Sequence, residues 1–91
     1  MSTKEKIKEE VVVLEKEVNQ HHIVLHNDEV NTFDFVINSL ISVCEHTEEQ
    51  AEQCTWLVHF KGKCTVKTGA LKELEPRCYK LLSLGLSAEL V

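Results

Sequence analysis

Apolar residues along this chain change their spacing at definite points, and the changes divide it into segments. Ile7, Val11, Leu14 and Val18 recur at intervals of four, three and four within a stretch rich in Lys and Glu. That is a helical stripe, but two heptads are too few for a stable coiled coil. The run Val11, Val12, Val13 is also a poor helix former. Residues 1–20 are therefore expected to form a mobile arm ahead of a domain spanning 21–91. Ile23, Val24 and Leu25 make a short β-rich run between His22 and His26, and it stops at Asn27-Asp28. Asn and Asp bond their own local backbone and favour turns, so the pattern predicts a first strand followed by a sharp turn.

Helical spacing returns with Phe33, Val36, Ile37, Leu40, Ile41 and Cys44, which supply one broad apolar face. Asn31 or Thr32 can provide the N-cap oxygen, and Asp34 sits in the first turn, where the helix dipole favours a carboxylate. This helix should end near Glu45 or His46. Thr47-Glu48-Glu49-Gln50 has the form of a capping box, so a second helix starts at once, with Ala51, Cys54, Leu57 and Val58 as its apolar positions and Trp56 to one side. Gly62 suits a left-handed C-terminal cap, and Lys61 stands where a cation suits the helix end. Cys64 to Thr68 alternates like a half-exposed strand until Gly69. Ala70 to Glu75 is ambiguous. Proline is tolerated in the first turn of a helix and not in its interior, so the main third helix is expected from Pro76 to Gly85, with Tyr79, Leu81, Leu82 and Leu84 as its apolar surface. Leu86, Ala88 and Leu90 alternate with Ser87 and Glu89 as a closing strand. The order β-α-α-β-α-β predicts an α+β fold, a small single domain whose three-stranded antiparallel sheet packs against helices.

Composition narrows the possible functions. The 91 residues leave room for one domain with a modest core, in which each buried residue should matter. An apolar fraction of 43% argues against global disorder. A net charge of -5 argues against a general nucleic-acid binder, which needs a basic stripe for phosphates. No run approaches the roughly 20 apolar residues of a membrane span, and MSTKEKIKEE lacks the apolar core of a secretory signal, so a cytoplasmic protein is expected. Cys44, Cys54, Cys64 and Cys78 contain no C-x-x-C pair and are expected to be free, packed thiols. His21, His22 and His26 suggest a metal, but adjacent strand residues point to opposite faces, and no metal site is expected.

The candidate chemistry gathers in two blocks. IVLHNDEVNTFDFVINSL (residues 23–40) joins a strand, an Asn-Asp turn and a helix carrying a hydrophobic residue, an acid, Phe and Val; LVHFKGK (residues 57–63) joins a hydrophobic residue and His to an aromatic and Gly-Lys. Together, at this spacing, the blocks resemble the signature of the ClpS family, with the closing GLSAEL a weaker match, and the resemblance covers about residues 22–91. It implies a non-catalytic, cofactor-free, monomeric adaptor with a shallow pocket between the first two helices. That pocket takes the first side chain of an N-degron (Leu, Phe, Tyr or Trp). By the same resemblance Asn27, Asp28 and His59 contact the substrate's α-amino group, while Asn31, Phe33, Val36, Ile37, Thr55 and Val58 line the hydrophobic part. Arg77 and Lys72 fall on the surface that docks to the N-terminal domain of a ClpA- or ClpC-type unfoldase.

These residue types suit those roles. A chain terminus is an ammonium with three donors and a reference pKa of about 7.7 to 8.0. A carboxamide oxygen, a carboxylate and a neutral imidazole can all accept from it, and charge-assisted bonds are the stronger kind. The chain departs from the family pattern at Glu29, where an Asp is usual, and at Asn31-Thr32, where Thr-Pro is usual. Phe33 and Thr55 replace pocket methionines, Lys72 replaces a common acid, and Pro76 interrupts the third helix. The same element order also resembles the C-terminal domain of the ribosomal stalk protein, an interaction module without the Asn-Asp and His set. A small enzyme using His59 as base is the third reading, without an activated nucleophile to complete it.

Overall fold

The structure, a computed structural model, describes residues 20–91; the arm expected over residues 1–20 lies outside these, apart from Gln20. Strand β1 (His21–His26) buries Ile23 and Leu25 completely, as alternation along a strand with one face on a core requires. It is the central strand of an antiparallel sheet, flanked by β2 (Lys63–Gly69) and β3 (Ser87–Leu90). Leu25 stands opposite Cys64 on one side and Ala88 on the other. Opposite β1 the register slips between Ile23 and Val24, whose partners are Lys67 and Thr65, so Val66 is the extra residue of a bulge. Val66 is buried there, and its carbonyl is held by His46 Nε2 at 2.6 Å. His22 and His26 bond across the sheet, to Thr68 and Glu89, each at 2.9 Å.

Helix α1 (Phe33–Cys44) starts on Thr32, whose hydroxyl accepts from the Phe35 N–H, and stops at Glu45 in a left-handed conformation. Helix α2 (Glu48–Lys61) has the full capping box: Thr47 Oγ1 accepts from Gln50 N, and Gln50 Oε1 accepts from Thr47 N. It ends on Gly62 at φ 92°, as the glycine led one to expect. The buried face of α2 is Ala51, Thr55 and Val58. Leu57, expected inward, is exposed, and Cys54 is half-buried. Thr55 can occupy the interior because its hydroxyl donates to the Ala51 carbonyl at 2.7 Å, which removes the cost of burying an unpaired group.

Helix α3 runs from Leu71 to Ser83, so the expected start at Pro76 and end at Gly85 are both corrected. Pro76 lies in the helix interior. It forgoes the bond its N–H would make to the Lys72 carbonyl, at a cost of about 3 kcal/mol. Leu74, 1% exposed, offsets much of that by filling the core, with burial worth about 1.5 to 3 kcal/mol. The first turn is closed by the Ala70 carbonyl, which accepts from Glu73 and Leu74 N–H at 3.0 Å each. The buried stripe is Leu74, Cys78 and Leu81. Tyr79 and Leu82, expected on the apolar face, point to solvent.

The four cysteines are unpaired. Burial pushes the Cys44 thiol up to about 11. Burial, helped by the neighbouring Cys64 thiol, pushes Cys54 up to about 12. Among the described residues, no group of three His, Cys, Asp or Glu side chains could hold a metal ion, and no helix is long and apolar enough to cross a membrane.

Candidate functional site

The end of β1 is stitched to the end of α2: the Asn27 N–H donates to the Gly62 carbonyl at 2.9 Å. His59 occupies the last turn of α2, just before that cap. The backbone link therefore brings residue 27 and residue 59 to the wall of one cavity. Asp28 organises the corner between them. Its Oδ1 accepts from Val30 N at 2.9 Å and Asn31 N at 2.8 Å, and its Oδ2 accepts from Asn31 Nδ2 at 2.9 Å. The second hydrogen of Asn31 Nδ2 goes to the Gly85 carbonyl at 2.9 Å. Gly85 sits at φ 88°, in the turn between α3 and β3, so Asn31 fixes where the next residue, Leu86, enters the wall.

The cavity encloses about 40 Å³. Asn27, Asp28, Asn31 and His59, with His26, form its polar lining. Leu25, Phe33, Val36, Val58 and Leu86 form its apolar lining, together with Thr55, whose hydroxyl is already committed to the Ala51 carbonyl. Eight of the sequence-predicted site residues thus meet at one place: Asn27, Asp28, Asn31, Phe33, Val36, Thr55, Val58 and His59. Ile37 does not join them. It is one residue on from Val36, turned about 100° round the helix, and it packs half-buried against the core. Leu86, expected in the closing strand, precedes it and stands in the wall.

Arg77 and Lys72 lie elsewhere, on α3. Arg77 Nη1 donates to the Glu73 carbonyl at 2.9 Å, and Nη2 pairs with the Glu45 carboxylate. The Arg77 hydrogen bond, with added attraction from Lys67 and Arg77, holds the Glu45 carboxyl below its usual range. Lys72 is exposed. Five residues apart on a helix, the two cations sit about 140° apart round the axis and do not share one face.

Partial burial pushes the Asp28 carboxyl up, but the bonds from Asn31 N, Asn31 Nδ2 and Val30 N outweigh it and hold the group below the ordinary Asp value. A carboxylate has about four acceptor positions, and three are used within the turn. One remains, on Oδ2. The Asn27 side chain makes no hydrogen bond among the described residues. The arrangement offers acceptors in the wall of a partly apolar hollow and suits a cationic group carried next to a hydrophobic one.

One cluster escaped sequence reasoning. The Phe33 ring lies 5.0 Å from Trp56 and 5.2 Å from His59, and Phe60 stacks on Trp56 at 4.9 Å with 3° between the planes. The signal was present, since Trp56 and Phe60 are four residues apart on α2 and so share a face.

Comparison with known proteins bears on the family and the fold. Residues 16–89 match the family model described as ATP-dependent Clp protease adaptor protein ClpS. The ClpS adapter protein of Treponema denticola is 27% identical over 85 residues, covering 91% of this chain and 84% of its own length. That of Acetivibrio thermocellus is 38% identical over 66 residues, covering 72% of this chain and 67% of its own. The fold is shared with Agrobacterium tumefaciens ClpS2, solved bound to L-phenylalaninamide, at a TM-score of 0.76 and 19% identity, over 80% of this chain and 95% of that one. With about four fifths of its residues in the family match and the same β-α-α-β-α-β architecture, this chain belongs to the ClpS family of Clp protease adaptors.

Proposed function

We propose that the protein binds the free N-terminus of polypeptides beginning with Leu, Phe, Tyr or Trp and delivers them to a Clp AAA+ unfoldase of the ClpA or ClpC type. The observation that carries this reading is the cavity itself, whose wall combines open acceptors on Asn27 and Asp28 and the His59 ring with the apolar side chains of Phe33, Val36, Val58 and Leu86. The α-ammonium sits among the acceptors and the first side chain fills the hollow. Burying a Leu or Phe side chain is worth about 1.5 to 3 kcal/mol, which alone gives weak binding. The amine contacts, about 1.5 to 3 kcal/mol for a hydrogen bond to a charged group, supply much of the rest. An acetylated terminus brings no charge and leaves the acceptors without a partner, and is therefore rejected.

The protein acts as a monomer in the cytoplasm, and hydrolysis and ATP use remain with the partner. Docking to the unfoldase uses α3, with Lys72 and Arg77 reaching the partner from different faces of that helix. A peptide beginning with Phe, titrated with a free and with an acetylated amine, tests the reading. Micromolar or tighter binding of the free form, lost on acetylation, is expected; equal binding of both forms would overturn it.

A further inference from the structure

The aromatic cluster beside the cavity has no work to do in the core. The inward face of α2 is Ala51, Thr55 and Val58, whereas Trp56 is 46% exposed and Phe60 67%. Exposed rings of this size, held against one another, mark contact surfaces more often than packing. The cluster is also continuous with the cavity, since Phe33 and His59 line that cavity and touch the outer rings. The Phe60 ring packs edge-on against His59, with centroids 4.9 Å apart and planes at 80°. A polypeptide whose amine lies by His59 advances about 3.3 to 3.6 Å per extended residue. Phe60 is one ring step from His59 and two from Phe33, which is the reach of the second and third residues.

We infer that Trp56 and Phe60 form a second subsite that selects a large aromatic or aliphatic side chain at the second or third residue of the bound polypeptide. This rests on the terminus-binding reading above and extends it. The Trp56–Phe60 stack offers the outer face of Phe60 and the ring edges to such a side chain, an arrangement favoured by offset-stacked and edge-to-face geometry. A small or acidic residue there makes no such contact.

The test uses the full chain and free-amine peptides that contain no Trp: Phe-Ala-Ala, Phe-Phe-Ala and Phe-Ala-Phe, each followed by the same Gly-Ser tail, plus their acetylated forms. Trp56 is the only tryptophan, so its emission reports the subsite directly. One of the two-aromatic peptides is expected to bind about threefold to tenfold tighter than Phe-Ala-Ala. It should also shift Trp56 emission to the blue. In Phe60→Ser the affinity ratio between the same two peptides should fall to about one, a difference measurement that cancels any effect of the substitution on the cavity. A ratio that survives Phe60→Ser overturns the inference. Equal affinities in the wild type, with binding still lost on acetylation, overturn it while leaving the terminus-binding reading in place. Binding that ignores acetylation overturns both.

Discussion

Replacing Asp28 with Asn separates two roles that truncation to Ala would merge. The native carboxylate accepts from Val30 N, Asn31 N and Asn31 Nδ2 and retains one open position. The carboxamide of Asp28→Asn keeps an oxygen for the two backbone donors, as Asn does in many turns. Its amide nitrogen, however, then faces Asn31 Nδ2, donor against donor. One of three bonds is lost beside solvent, so stability should fall by about 0.5 to 1.5 kcal/mol. At about 4 to 8 °C of Tm per kcal/mol, that shift is easily read in a domain of this size. Asp28→Ala loses all three bonds and releases the Asn31 brace to Gly85, which should cost about 1 to 3 kcal/mol. Both variants deprive an ammonium of its anionic partner, for about 1.5 to 3 kcal/mol, or roughly 10- to 150-fold in Kd. Thermal melts should therefore rank wild type, then Asn, then Ala. Peptide titrations well below the melting range should group the two variants together, far from wild type. If Asp28→Asn binds a Phe-starting peptide as tightly as wild type, Asp28 only shapes the turn and the proposed amine contact is wrong.

Other outcomes follow from the same geometry. Pro76→Ala should stabilise the protein by about 1 to 3 kcal/mol in urea unfolding, since it restores a bond inside α3; an unchanged midpoint would show that the first turn is already frayed. Phe33→Met puts a flexible side chain in the wall and should change the affinity order among peptides starting with Leu, Phe, Tyr and Trp; an unchanged order would remove Phe33 from the specificity set. The lowered carboxyl of Asp28 contributes stability that is complete above the unfolded value of about 3.9 and is lost as pH falls through the folded one. Urea midpoints should thus decline with acidification below about pH 4, less steeply in Asp28→Asn; parallel curves would contradict this. With their thiols at about 11 and about 12, Cys44 and Cys54 should alkylate far more slowly at pH 7.5 than in the urea-unfolded chain, as followed by mass spectrometry.

Local chemistry was legible where the chain punctuates itself. The reciprocal Thr47–Gln50 bonds, the left-handed Gly62 and the turn at Asn27-Asp28 each depend on a few neighbouring residues, and sequence shows those directly. The start of α3 was not legible, because a proline's local cost was largely offset by the burial of Leu74, which only the tertiary fold supplies. The inward turn of Thr55 in place of Leu57 has the same origin: a hydroxyl satisfied by the Ala51 carbonyl behaves as an apolar group, and side-chain type alone does not reveal the bond. Around the cavity, Val36 and Ile37 were indistinguishable by composition and differ by one step of helical rotation. The pattern shows a turn at Asp28 but not its brace; in the fold the carboxylate is half-buried and held, because Asn31 reaches back to it.

The Asn31 amide joins two points 54 residues apart along the chain. Between them lie α1, α2, β2 and α3, and the strand that follows, β3, pairs among the described residues with β1 alone. Contacts of such long range form late, after the loop entropy that opposes them has been overcome. A chain still emerging from the ribosome, or one nicked ahead of Gly85, would have the turn but not the far post that steadies it. The corner that Asp28 and Asn31 build is thereby tied to completion of the whole domain, and a partly synthesised chain presents that corner without its brace.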